Sequence, residues 1–396
     1  MATNIPNEIL QAIFKFVDGK DERDYGTLFN CALVNRQWCN NAIPILWHDP
    51  FYRETSDSVI KTLMSFLDND QLQQLDKIRH RLPLIENKKF DYPSFIRCIN
   101  LNMLWESLYV LYSPASLEAQ DTENTANNGN NGNNGNNGSN GNNGSNGNNA
   151  SNGNNENTAN TAATTTNSTS AQPPSDPDLF EDIKLTLTVL LKMLAQKITN
   201  VRRFKINLKL HSSNVEDAQK GEIKNKILEL LLEPEISDLL RFTTELQWFQ
   251  TKPYKGYMPQ LAGICSNLEK LIISLGNFDE SQTDDATAFI KAQTHLKELE
   301  IFNCSSGIQK LISFSRDQVL SIQVLILYHV DFYGCGPLIS LTKCENLRHL
   351  SFRYCTYIQK EMCNPLFSAN FPKLKKVEAP FTSCPVLEEW AKNYSK

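Results

Sequence analysis

A chain of 396 residues with 40% hydrophobic residues has room for two or three domains and a substantial core. Its formal charge of -5, without any basic run, argues against a phosphate-binding patch and so against nucleic acid as a partner. The longest apolar stretches, such as Leu185 to Leu194, are broken by Lys and Thr and fall far short of the roughly twenty residues that span a membrane.

Pro6 followed by Glu8 predicts a helix start, because proline has no amide to leave unbonded at the first helical position and an acid there suits the helix dipole. Ile9, Leu10, Ile13, Phe14 and Val17 then recur at helical spacing until Asp18-Gly19-Lys20-Asp21 interrupts them. Leu28, Phe29, Ala32 and Leu33 give the stripe of a second helix. Asn35 reads as the N-cap of a third that holds Trp38, Cys39 and Ala42, and Pro44 is expected to end or kink it. Three short helices in about forty residues cannot enclose all of this apolar surface unaided. Periodicity alone is satisfied equally by a small helical cap on the next domain.

Residue identity adds a pattern. Ile5-Pro6, Glu8, Ile9-Leu10, Val34-Asn35-Arg36-Gln37-Trp38 and Leu46-Trp47 stand in the order of the F-box, with Ile5 for the usual leucine. Residues 1–48 are therefore identified as resembling an F-box. The resemblance implies docking on the Skp adaptor of a cullin-RING ubiquitin ligase, with the adaptor's helices covering what three helices leave open. It assigns that contact to Pro6, Ile9, Leu10, Ile13, Leu33, Val34 and Trp38, some of which must instead be internal core.

Residues 49–90 read as linking helices, over 55–67 and 71–82, with Val59, Ile60, Leu63, Met64 and Leu67 as the first stripe. From Ile96 the period changes, with apolar residues at positions one, four, six and nine, which marks a first repeat at 91–113. Residues 114–177 form an expected insertion. Between Asp121 and Gln172 it holds only alanine as a hydrophobic type, and such a stretch cannot offset the entropy of ordering. Glycine at every third position there lacks the proline of collagen, so an expanded surface loop is expected, with self-association of the Asn-rich tract as the alternative. A helix over 178–198 then restarts the fold through Leu179, Ile183, Leu187, Leu190, Leu191 and Leu194.

Within residues 178–396 the pattern Leu-x-x-Leu-x-Leu-x-x-Cys begins at Leu268, Leu296, Ile322, Leu347 and Leu374, at offsets of 28, 26, 25 and 27 residues. Cys304 and Cys355 fill its ninth position, and earlier copies begin at Ile96, Val201 and, more loosely, Leu246. Regular spacing in the twenties predicts a stacked repeat. It resembles the cysteine-containing leucine-rich repeat. The fold class expected is α/β: a small all-α F-box, then a solenoid with parallel strands on its concave face and helices over 284–293, 308–315, 337–343 and 359–367 outside. Because isolated repeats cannot bury their leucines, both ends need caps, one from the F-box side and one from 385–394.

Strand residues alternate faces, so the seventh and eighth positions of the copies point out of the core. They give Phe302, Tyr328, His329, Arg353 and Tyr354, a candidate substrate surface rich in the anchors of protein contacts, unless these side chains pack against loops or the insertion. No P-loop, dinucleotide fingerprint or close Cys/His pair occurs, so neither a cofactor nor a metal is expected and catalysis is assigned to the partner assembly. His329, Cys335, Cys344, His349 and Cys355 lie within 27 residues, yet Cys355 already belongs to a buried repeat position. The opening residues carry no basic flank or cleavable apolar region, and the ten cysteines show no close pairing, so a reduced compartment, cytoplasm or nucleus, is expected. The expected role is a non-catalytic substrate receptor, which holds a protein substrate near the ubiquitin-carrying enzyme and engages the cullin through the adaptor. An interaction module outside any ligase and an Asn-rich scaffold are the alternatives.

Overall fold

The computed structural model describes residues 5–19, 24–52, 56–75, 89–112, 176–208, 217–249, 251–276 and 278–394. Up to position 175 the expected insertion lies outside the described residues, as does the second half of the helix expected over 71–82.

The chain begins with α1 (Asn7–Val17), α2 (Tyr25–Val34) and α3 (Arg36–Leu46). Pro6 stands one place earlier than expected, as the N-cap of α1, where its carbonyl accepts the amides of Ile9 and Leu10 at 3.1 Å. Asp24 caps α2 by accepting the Thr27 amide, and Asn35 caps α3 by accepting that of Trp38, each at 2.9 Å. Pro44 does not end α3. It sits in the last turn, which is closed by the Trp47 amide on the Ile43 carbonyl and the His48 amide on that of Ile45. Leu10, Phe14, Leu28, Ala32 and Ala42 form a core of their own, with Trp38 edge-on to Phe14 at 5.5 Å between ring centroids.

Next come α4 (Asp57–Met64), α5 (Asn69–Gln74) and α6 (Tyr92–Phe95), the first two shorter than the spans expected. Capping explains the starts: Ser56 accepts the Val59 amide, and Asp68 and Gln71 cap each other reciprocally.

Among the described residues, eight parallel strands follow in strictly sequential order: β1 (Cys98–Asn100), β2 (Arg203–Ile206), β3 (Glu245–Trp248), β4 (Lys270–Ser274), β5 (Glu298–Phe302), β6 (Val324–Tyr328), β7 (His349–Arg353) and β8 (Lys376–Glu378). The register aligns Ile99, Phe204, Leu246, Leu271, Leu299, Leu325, Leu350 and Val377 in one buried column. A second buried column runs through Ile206, Trp248, Ile273, Ile301, Leu327 and Phe352. Burying a side chain of this size contributes about 1.5–3 kcal/mol, so these columns set the register of the whole sheet.

Helices make the crossovers: α7 (Leu101–Tyr112) and α8 (Asp176–Lys197) after β1, α9 (Asp217–Leu230) and α10 (Pro234–Arg241) after β2, and α11 (Tyr257–Ile264) after β3. Then come α12 (Glu280–Ala292), the pair α13 (Ile308–Leu311) and α14 (Arg316–Ser321), a 3-10 turn (Ile339–Lys343), α15 (Lys360–Ser368) and, after β8, α16 (Pro385–Tyr394). The helix expected over 308–315 stops at Leu311, and a second one begins at Arg316, outside that span, where Ser315 accepts the Gln318 amide. The helix expected over 337–343 is the 3-10 turn.

Two repeat assignments shift. In the first copy the strand closes after Asn100, and Leu101, expected on a strand, opens α7 while remaining buried. The loose copy starts three residues before Leu246, at Thr243, because Leu246 pairs with Leu271 in the fourth position. Thr243 fills the leucine site, with its hydroxyl donated to the Leu239 carbonyl, and Thr251 takes the cysteine site, where its hydroxyl accepts the buried Leu208 amide at 2.8 Å. Polar residues hid this copy from a search for apolar ones.

Candidate functional site

The first candidate surface is on the helical unit. Helices this short bury one stripe each, and three of them leave the remaining apolar residues outside. Ile9 is 52% exposed and Leu33 68%, and Pro6, Ile13 and Val34 are exposed too. The structure removes one member of the expected contact set and partly covers another. Leu10 is fully buried in the helical core, because position ten faces α2 and α3, and Trp38 is half-buried against Phe14. Phe16, 87% exposed, and Phe29 join the exposed set. Phe29 lay in the predicted stripe of α2, whereas Phe16 falls off the stripe of α1 and carried no periodic signal.

The second surface lies at the C-terminal ends of the strands. The register places Phe302 beside Tyr328 and Tyr328 beside Arg353 on one open face. Ring centroids run from Phe249 to Phe302 (5.8 Å), Tyr328 (5.4 Å), Tyr354 (5.3 Å) and Phe381 (5.0 Å), with His329 5.0 Å from Tyr354. All five residues expected on this surface therefore come together. Phe381 was missed, although it holds the eighth position of the copy from Leu374, so a count carried one copy further finds it. Tyr333 and Tyr357, exposed and 5.6 Å apart, extend the aromatic area from loops where no repeat position marks them.

Below the rings stands a charge cluster. Glu378 accepts the Arg353 guanidinium at 2.6 Å and lies 2.9 Å from His349 Nε2 through one oxygen, while its other oxygen meets Lys376 Nζ at 2.9 Å. Partial burial opposes its charge, but hydrogen bonds from Lys376, Arg353 and His349 outweigh that and hold its carboxyl at about 2. Towards the other end of the sheet the partly buried charges pair among themselves: Arg203 with Glu245 at 2.8 Å, and Lys270 with Glu298 and Glu300 at 2.6 and 2.8 Å.

Nothing nucleophilic stands out among the described cysteines. Burial pushes the Cys265, Cys344, Cys355 and Cys363 thiols up to about 12 and that of Cys304 to about 11, which keeps them protonated. His329 belongs to the ring row and His349 to the Glu378 cluster, so neither turns towards the buried Cys344 or Cys355. Among the described residues no group of three His, Cys, Asp or Glu side chains is arranged to hold a metal ion, and no helix is long and apolar enough to cross a membrane.

No curated protein matches the chain. Residues 2–53 match the family model of F-box-like domains, which span α1, α2 and α3, so that the chain carries an F-box-like domain at the helical unit and a parallel sheet behind it.

Proposed function

We propose that the chain is an F-box protein of the leucine-rich-repeat type, and that it serves as the substrate receptor of an SCF-type ubiquitin ligase. The observation that carries the proposal is the coincidence of the F-box-like match at 2–53 with an exposed apolar set, Ile9, Ile13, Leu33 and Val34, on those same helices. Such a set on a unit whose own core is already closed is the mark of a docking face. The partner is the Skp adaptor and, through it, a cullin. The sheet with its regular offsets is read as a repeat solenoid whose open face takes the substrate. Its contribution is proximity: holding a substrate lysine near the ubiquitin-carrying enzyme raises effective concentration without chemistry from this chain.

Calorimetry of purified Skp adaptor against the full chain tests this, beside an Ile9→Ala, Leu33→Asp, Val34→Asp variant checked for folding by circular dichroism. Binding that the variant loses supports the proposal, and no binding by the wild type refutes it. Adaptor binding without recovery of the cullin on co-purification assigns the chain to the interaction modules that act outside any ligase.

A further inference from the structure

We infer that the ring row and the basic residues beside it bind an acidic, proline-containing peptide of a partner protein, laid across strands β5 to β8. This deepens the receptor proposal by naming the class of its substrate.

The first argument is backbone conformation. Asn303, His329, Tyr354 and Phe381, at the eighth position of successive copies, all lie in the left-handed region with φ between 52° and 57°. Their amides donate to the next turn of the chain, Asn303 to Tyr328, His329 to Arg353 and Tyr354 to Pro380, so each side chain leaves the sheet at the same point. For a non-glycine residue this conformation costs about 1–2 kcal/mol, and glycine would adopt it freely. Core packing does not account for aromatic residues here, since Tyr354 is 39% and Phe381 70% exposed. Strain kept at exposed rings points to what the rings touch.

Spacing is the second argument. His329, Tyr354 and Phe381 form a stack with centroids 5.0 Å apart and planes within 20° of one another, running across the strands. A polyproline helix advances about 9.3 Å in its three-residue turn, close to two such spacings, and prolines pack on aromatic rows of this kind. A β-strand presents the same face about every 6.7 Å and drifts out of step.

Charge is the third. Residues 337–394 hold eight Lys and Arg against five Asp and Glu, while the whole chain has 39 against 44, so the sign reverses at this end. Arg353 and Lys376 share the single carboxylate of Glu378 and stay partly exposed, which leaves positive charge for carboxylates of a peptide next to the rings.

The test is selection from a randomised 16-residue peptide library on the immobilised full chain. An Arg353→Ser, Lys376→Ser variant and a Tyr354→Gly, Phe381→Gly variant are run in parallel. Glycine keeps the left-handed backbone, so the second variant deletes rings without breaking the turn, and circular dichroism verifies both folds. The wild type is expected to enrich Asp and Glu together with Pro. The best peptide should bind each variant at least tenfold more weakly, with acid enrichment lost in the first and proline enrichment in the second. No enrichment, enrichment of neither residue class, or peptides indifferent to both variants would overturn the inference. Adaptor binding measured on the same preparations reports separately on the ligase proposal, because none of the four substituted residues lies in the helical unit.

Discussion

The carbonyl oxygen of His48 accepts the amide of Arg97 at 2.9 Å, and that of Cys98 at 3.1 Å. The same two-amide pattern recurs on each strand that follows: the Arg97 carbonyl takes Arg202 and Arg203, that of Lys297 takes Gln323 and Val324, and that of Arg348 takes Lys375 and Lys376. His48, two residues past α3, thus stands where the residue before a preceding strand would, and it satisfies the first amides along the outer edge of β1. The F-box-like helices are tied to the sheet through backbone as well as by packing.

The first prediction concerns that joint. Amide hydrogen exchange at Arg97 and Cys98 should be as slow as at Lys297 and Glu298, which bond to the Glu269 carbonyl in the same way. Fast exchange at the first pair beside slow exchange at the second would show the joint to be open in solution.

Leu10 and Leu33, both candidates by sequence, should separate cleanly. Leu10→Ala removes a fully buried side chain and should lower unfolding free energy by about 2–5 kcal/mol. Leu33→Ala, at an exposed site, should stay within about 0.5 kcal/mol. Denaturant titrations of the two variants read this difference, and similar costs would contradict the burial.

Thr251 offers a test of the corrected repeat register. Replacing it by valine strands the buried Leu208 amide and should cost about 1–3 kcal/mol. Thr243→Val should cost less, because its hydroxyl serves the Leu239 carbonyl, and an under-satisfied carbonyl is better tolerated than a stranded amide. Urea midpoints of the two variants would expose a reversed order.

Glu378 sets a pH window. Its folded value, about 2, lies below the unfolded carboxylate value of about 4.3, so its contribution is complete above the unfolded value and is lost as pH falls towards 2. For a partly exposed network that contribution is about 1 kcal/mol. Wild type should therefore exceed Glu378→Gln in stability at pH 7, and melting curves should converge between about pH 5 and pH 2; a gap that persists at pH 2 would rule out this origin.

At Phe381 the usual order of alanine and glycine should invert. Glycine in ordinary backbone is destabilising by about 0.5–1 kcal/mol relative to alanine, but at φ 57° alanine bears the strain and glycine does not. Phe381→Gly should thus melt above Phe381→Ala, and the opposite order would count against the left-handed backbone.

Much of this was legible along the chain because it is local or periodic. Asn35 as a cap, the strand positions of Leu271, Leu299, Leu325 and Leu350, and the span of α16 follow from short-range chemistry and a repeating apolar pattern. The misplaced copy at Leu246 shows the limit of that method: Thr243 and Thr251 satisfy their hydroxyls through contacts that no apolar count detects. The same holds for Leu10 and Ile9, adjacent on one stripe yet opposite in burial.

Sequence by itself determined the two-part plan, helices first and parallel strands with helices after, since hydrophobic period and residue identity are written residue by residue. Tertiary structure alone decided which apolar residues of the helices stay outside, that His48 continues the ladder of the sheet, and that Arg353, His349 and Lys376 converge on Glu378. These depend on how segments tens of residues apart are held against one another, and the packing and backbone hydrogen bonds that hold them have no period to read.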